Sequence, residues 1–148
     1  MTHEYMKLLL TDMITDKEYR PILIIDNEND DGRNIVYDIT MTLGYKYWYF
    51  ENDCFIKQAN LYDFLTNVKT PTIVYVDRFE ETDVEKIGYD NYLKMILATF
   101  DKTFNKTPVS DNIIMMIGTK SLKAIRDRVN TATINKALII KVPEPVNA

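Results

Sequence analysis

The sequence predicts an α/β domain of three αβα layers built on a five-stranded, mostly parallel sheet. Three observations carry that expectation. Short apolar runs recur along the chain, and strands apolar on both faces need cover above and below, as in parallel sheets. Segments with apolar residues at helical spacing separate those runs. The 148 residues, 46% hydrophobic and 27% charged, suffice for one domain with one sizeable core. No repeat, low-complexity tract or Pro/Gly/Ser-rich linker divides the chain, so residues 1–148 read as a single domain.

Taken in order, Tyr5, Met6, Leu9, Leu10 and Met13 give a first helix that ends before Arg20-Pro21. "PILIID" is the first strand. Ile35, Val36, Ile39 and Leu43 mark a helix face that Gly44 closes. "YKYWYFE" is the second strand, with Tyr45, Tyr47 and Tyr49 alternating against Trp48 and Phe50. "NLYDFLTN" is a short helix with Asn60 as its cap. "TPTIVYVD" is the third strand and ends in an acid, Asp77. The charged run "DRFEETDVEKIGYD" reads as a solvated loop. Tyr92, Leu93, Ile96, Leu97 and Phe100 then define a long helix. "DNIIMMIGT" is the fourth strand, "SLKAIRDRV" a helix, and "KALIIKVPEP" a fifth strand stopped by Pro143 and Pro145.

Composition narrows the function. A net charge of −4 gives no electrostatic footprint for nucleic acid and disfavours an anionic membrane surface. The first apolar run is short and broken by Lys7 and Asp12, so neither a secretory signal nor a membrane span is expected, and the chain reads as cytoplasmic. One cysteine, Cys54, reads as a small buried filler and excludes an internal disulfide framework; one histidine, His3, lies near the terminus.

In parallel sheets, function sits outside the carboxyl ends of the strands. That rule gathers Asp26, Asp77 and Thr119 along one rim, under the turn Asn27–Asn34. The turn has one glycine, Gly32, and one cation, Arg33, but four acids surround them: Asp26, Glu28, Asp30 and Asp31.

In the order and spacing of these features, nearly the whole chain resembles the αβα core of an AAA+ ATPase, a branch of the P-loop nucleoside triphosphatases. Against the phosphate-loop pattern G-x-x-x-x-G-K-[ST], Asn27 takes the first glycine, Gly32 matches the second, Arg33 replaces lysine and Asn34 replaces the hydroxyl. "TIVYVD" resembles the Walker B strand, with Asp77 at the metal-directing acid and Arg78 where the catalytic glutamate would stand. "NIIMMIGTKS" is similar to the sensor strand, the polar residue being Thr119 or Lys120; Arg126 and Arg128 fall in the arginine-bearing segment. No helical lid is expected before Ala148. The resemblance implies Gly32, Arg33, Asn34, Asp77 and Thr119 as nucleotide-binding positions, with Asp77 also directing a metal.

The departures weaken that chemistry. A phosphate loop works through backbone N–H groups curled around phosphates, aided by a lysine and a helix N-terminus. Here the turn and Asp26 carry a net −3 beside an intended polyanion, and each like-charge contact costs on the order of 4 kcal/mol at ~4 Å near a protein surface. The helix dipole returns only about 0.3–1 kcal/mol. ATP or ADP with magnesium is therefore expected to bind weakly, and Arg78 in place of glutamate removes the group that would polarise an attacking water; Glu80 or Glu81 are the nearest substitutes. The expected role is a degenerate, non-hydrolysing domain acting as a protein-interaction or assembly subunit, with a protein partner or a second copy of itself.

Competing readings remain. One is a nucleotide-binding ATPase or switch using Arg33 and Asp77. Another is a receiver-like phosphoacceptor domain, because Asp26, Asp77, Thr119 and Lys141-Val142-Pro143 fall where receivers keep their acids, hydroxyl and lysine-proline. The turn also reads simply as a solvated loop whose Asp and Asn residues cap a helix. Asn27, Asn29, Asp31, Gly32 and Asp38 match an EF-hand-like spacing, though with a strand in place of the entering helix. The aromatic strand reads as a sheet edge or core packing rather than a base-stacking platform, and its tyrosine face as a protein contact if it lies at the edge.

Overall fold

The computed structural model describes residues 2–16 and 20–144. Pro145, one of the two expected strand-stopping prolines, lies outside the described residues. The sheet strands are β1 (Ile22–Ile25), β2 (Lys46–Glu51), β3 (Thr72–Asp77), β6 (Ile113–Thr119) and β7 (Leu138–Lys141). They lie side by side in the order β2-β3-β6-β1-β7, and every pairing is parallel. A two-residue antiparallel pair, β4 (Thr103–Phe104) with β5 (Thr107–Pro108), stands apart and had no counterpart in the sequence reading.

Period-two alternation along the strands divides the apolar residues between two cores. Ile22, Ile24, Ile73, Tyr75, Met116 and Ile140 face one layer, where they meet Met6, Leu10 and Ile14 of α1 (His3–Thr15) and Ile35, Val36 and Ile39 of α2 (Asp31–Leu43). Leu23, Val74, Val76, Met115 and Ile117 face the other. There they pack on Leu61 and Leu65 of α3 (Leu61–Asn67) and on Met95, Ala98 and Phe100 of α5 (Tyr89–Phe100). Ile125 of α6 (Leu122–Arg126) and Ile134 of α7 (Thr131–Ile134) complete that layer. The three-layer expectation holds, and β1 is buried along its whole length because both layers cover it.

The order corrects the receiver-like alternative. That fold runs 2-1-3-4-5, with its first strand between the second and third. Here β1 lies between β6 and β7, and β2 is at the far edge.

Local corrections have plain causes. Tyr5, one of the residues whose spacing marks α1, is 57% exposed, because the buried face runs through Met6, Leu10 and Ile14. Asn60 stands at the start of α3 with φ 59°, and its side chain makes no capping bond. Cys54 is exposed in a 3₁₀ turn, Asn52–Cys54, where the neighbouring Phe55 takes the buried position. The charged run after Asp77 is not simply a loop. It forms a 3₁₀ turn, Phe79–Glu81, and α4 (Val84–Ile87), and Phe79 is fully buried against the rings of Tyr92 and Phe100. The helix expected over "SLKAIRDRV" closes early at Arg126, with Ser121 capping it by accepting from the Ala124 N–H.

Candidate functional site

The carboxyl ends of β1, β3 and β6 meet at one rim. Ile25 pairs with Thr119 and Val76 with Ile117, so Gly118 lies between the ends of β1 and β3. After β1 the chain rises into α2 on one face; after β6 it passes to α6 on the other. Adjacent strands whose connections diverge open a crevice, the usual ligand position in such sheets. The sequence reading therefore placed the rim correctly. What occupies it is protein.

Asp26 is the centre of the arrangement, and it is 6% exposed. Its own N–H donates to the Thr119 carbonyl at 2.8 Å, extending β1 against β6 by one residue. Its Oδ1 accepts from the backbone N–H of Asn27 at 2.8 Å and of Gly32 at 2.8 Å, and its Oδ2 accepts from the Arg33 N–H at 3.0 Å. The Gly32 and Arg33 N–H groups are first-turn amides of α2, which have no acceptor within the helix. The residue at the start of α2, Asp30, sits at φ 58° and makes no side-chain cap. The capping carboxylate comes instead from the strand before the turn.

The turn is tied down by its own side chains. Asn27 Oδ1 accepts from the N–H groups of Asn29 and Asp31 at 3.0 and 3.2 Å. Its Nδ2 donates to Asp31 Oδ2 at 2.7 Å and to the Pro143 carbonyl at 2.8 Å, joining the turn to the end of β7. Gly32 is required by close approach. A Cβ there would lie 2.7 Å from Val142 Cγ2 and 3.0 Å from both Asp26 Oδ1 and Ile24 Cγ2. So Gly32 is kept for packing against the cap, and Asn27 at the first loop position folds the turn inward.

Arg33 and Lys120, the cations nearest the turn, are both engaged. Lys120 Nζ donates to the Asn27 carbonyl at 2.8 Å and pairs with Asp30. Burial raises the Asp30 pKa, but the hydrogen bond and charge of Lys120, with Arg33 behind, hold it below its usual value. Arg33 donates to the Tyr49 hydroxyl at 2.9 Å, lies 3.6 Å from Asp77 Oδ2 and 3.4 Å from Asp30 Oδ2, and covers the Tyr49 ring at 5.2 Å. Tyr49 in turn donates to Asp77 Oδ2 at 2.5 Å. Burial first, then that bond to Asp77, pushes the Tyr49 phenol well up, so it stays protonated as the donor. Asp77 Oδ1 accepts from the Arg78 N–H at 2.9 Å.

The remaining sequence candidates are distributed. Thr119 is fully buried, and its hydroxyl bonds the Ser121 carbonyl and N–H at 3.0 and 3.3 Å, within its own turn. Asn34 is exposed on α2, beside a groove formed with Arg33, Tyr37, Tyr47 and Tyr49. Arg78 turns to the edge of the sheet and pairs with Glu51 at 2.5 Å and Glu81 at 3.5 Å. Glu80 Oε1 accepts from the Lys120 N–H at 3.2 Å. Arg128 is held at the Thr82 carbonyl and Arg126 is exposed. Asp38, the last position of the EF-hand-like spacing, lies within α2 and is exposed. Among the described residues no three His, Cys, Asp or Glu side chains are grouped to hold a metal.

Three residues at this rim went unassigned in sequence. Tyr75, fully buried, directs its hydroxyl toward Gly118 without a hydrogen-bond partner; burial and then the charges of Asp77 and Asp26 push its pKa well up. A Cβ on Gly118 would strike that hydroxyl at 2.8 Å and also Asp77 Oδ1. His3 Nε2 lies 3.4 Å from Asp31 Oδ2. The Tyr49–Asp77 bond had one legible sign, the tyrosine alternation of β2, but its meaning depends on β2 lying next to β3. Compared with protein-family models and with curated proteins, the sequence matches none.

Proposed function

We propose that the chain is a degenerate AAA+-like domain that does not hydrolyse nucleotide and acts through protein contacts as an assembly subunit. The parallel three-layer fold is that of Rossmann-like and P-loop-like proteins in general; the finer reading rests on the rim. One observation carries it. The Asp26 carboxylate accepts from the amides of Gly32 and Arg33, helix N-terminal N–H groups of the kind that a phosphate loop offers to its ligand, and from that of Asn27 in the turn.

A phosphate entering there must displace a buried anion from its donors and then remain beside it. Arg33 and Lys120 are already committed, Arg33 to Tyr49, Asp77 and Asp30, and Lys120 to Asp30 and the Asn27 carbonyl. The position that the resemblance gives to a catalytic glutamate holds Arg78, already paired with Glu51 and Glu81. Should a nucleotide enter despite this, Gly32, Arg33, Asn34 and Thr119 are the residues to hold it, and Asp77 the one to direct its magnesium.

Calorimetric titration of ATP and ADP, with and without magnesium, tests the reading. No heat at millimolar nucleotide is the expected result. Micromolar binding that disappears in Arg33→Ala or Asp77→Ala overturns it and restores the nucleotide-switch reading.

A further inference from the structure

We infer that β2 is a self-association edge: two copies of this chain pair β2 against β2, antiparallel about a two-fold axis, into one continuous sheet. The inference deepens the assembly reading and rests on it.

The first observation is the direction of the backbone. The Lys46 N–H donates to the Pro71 carbonyl, and Lys46 pairs with Thr72 of β3. Backbone groups alternate sides along a strand, so Lys46, Trp48 and Phe50 serve β3 while Tyr47, Tyr49 and Glu51 turn theirs outward. β2 is the last strand on its side of the sheet. Its outward groups form a ladder half ready for a partner.

The two edges of the sheet differ. β7 is four residues long, ends in Lys141 and is followed by Pro143, devices that blunt an edge. β2 is six residues long and carries no charge between Lys46 and Glu51. Large apolar side chains flank it on both layers. Trp48 is 46% exposed on one face, with Tyr62 of α3 exposed in the same layer; Tyr37 and Met41 of α2 are exposed on the other. Tyr37 meets Tyr47 edge-on at 5.5 Å, so the apolar surface is continuous from helix to strand.

Charge then selects the orientation of a second copy. A parallel copy would set Lys46 beside Lys46 and Glu51 beside Glu51. An antiparallel copy separates the like charges. A two-fold axis keeps each side chain on its own face, so opposed residues share parity: Tyr49 meets Tyr49 with Trp48 opposite Phe50, or Trp48 meets Trp48 with Tyr47 opposite Tyr49. Either register sets aromatic on aromatic at the central pairs, a favourable cross-strand combination. The strand is complementary to itself, and a C2 interface requires that property.

Sedimentation equilibrium of the full chain tests the inference. The expected mass is twice the 17.4 kDa of one chain. Trp48→Lys, at an exposed position, and Tyr47→Pro, which deletes an N–H that β3 does not use, should each weaken the dimer at least ~10-fold, with the far-UV spectrum retained. A wild-type chain that stays at single mass up to hundreds of micromolar overturns the inference, as does a dimer that both substitutions leave unchanged. A single-mass chain that is also silent to nucleotide removes this interface but leaves the assembly reading. A dimer that binds ATP does the reverse.

Discussion

Replacing Asp26 should be among the most damaging single changes in the protein, and for a reason that sequence position alone does not supply. Asp26→Ala removes three bonds to a charged acceptor at 2.8, 2.8 and 3.0 Å. Such bonds contribute about 1.5–3 kcal/mol each, though not additively, and a buried amide left without an acceptor costs about 1–3 kcal/mol. Gly32 is buried and Asn27 is 3% exposed, so water reaches neither donor easily. The interaction with the α2 dipole adds about 0.3–1 kcal/mol. A loss of roughly 3–5 kcal/mol follows, set against a total stability of about 5–15 kcal/mol for a domain. Asp26→Asn keeps an acceptor for Asn27 and Gly32 and loses the Arg33 bond and the charge, so about 1–2 kcal/mol is expected. Urea denaturation separates the two. With a slope of about 2 kcal/mol/M, the alanine midpoint should fall by roughly 1.5–2.5 M and the asparagine midpoint by ~1 M at most. A cost below about 1 kcal/mol for Asp26→Ala, or equal costs for both variants, would refute the assignment of this carboxylate as the buried cap.

Three further expectations follow from the same rim. Gly32→Ala places a methyl against Val142, Ile24 and Asp26, and overpacking of that kind costs about 1–3 kcal/mol, readable as a lowered thermal midpoint. Tyr75→Phe removes a buried hydroxyl without a partner and should stabilise the fold by about 1 kcal/mol or more. It should also blunt alkaline unfolding: a folded-state pKa raised above ~10 gives stability that is whole below pH ~10 and lost as pH rises past it. Tyrosinate absorbance during a base titration checks this. Asp30 carries the opposite sign. Its folded-state pKa is lowered, so its contribution is present above pH ~4 and lost as pH falls through the folded value; Lys120→Ala should flatten that acid limb of stability against pH.

How far the sequence alone reached is clearest at particular residues. Apolar runs and helical spacing located all five sheet strands and the face of α2, because periodicity is a local property that burial imposes on an element. On α5 the apolar spacing misled, since Leu93 and Leu97 are exposed and the buried face runs through Tyr92, Met95, Ala98 and Thr99. The rim of Asp26, Asp77 and Thr119 was also legible, since parallel strands present their carboxyl ends together. The alternation of Tyr47 and Tyr49 against Trp48 was readable for the same reason. Strand order was not, and it decided the rest. Only with β2 beside β3 does Tyr49 reach Asp77, and only with β1 beside β6 does Lys120 reach the turn and neutralise Asp30. In sequence Asp26 counted as one more acid repelling phosphate from the turn. In the fold it is the anion already bound there, because the chain bends back after Asn27 and brings the first amides of α2 onto its carboxylate. Charge can be counted along a chain, but which charge occupies which donors depends on contacts across it, and those belong to the tertiary structure.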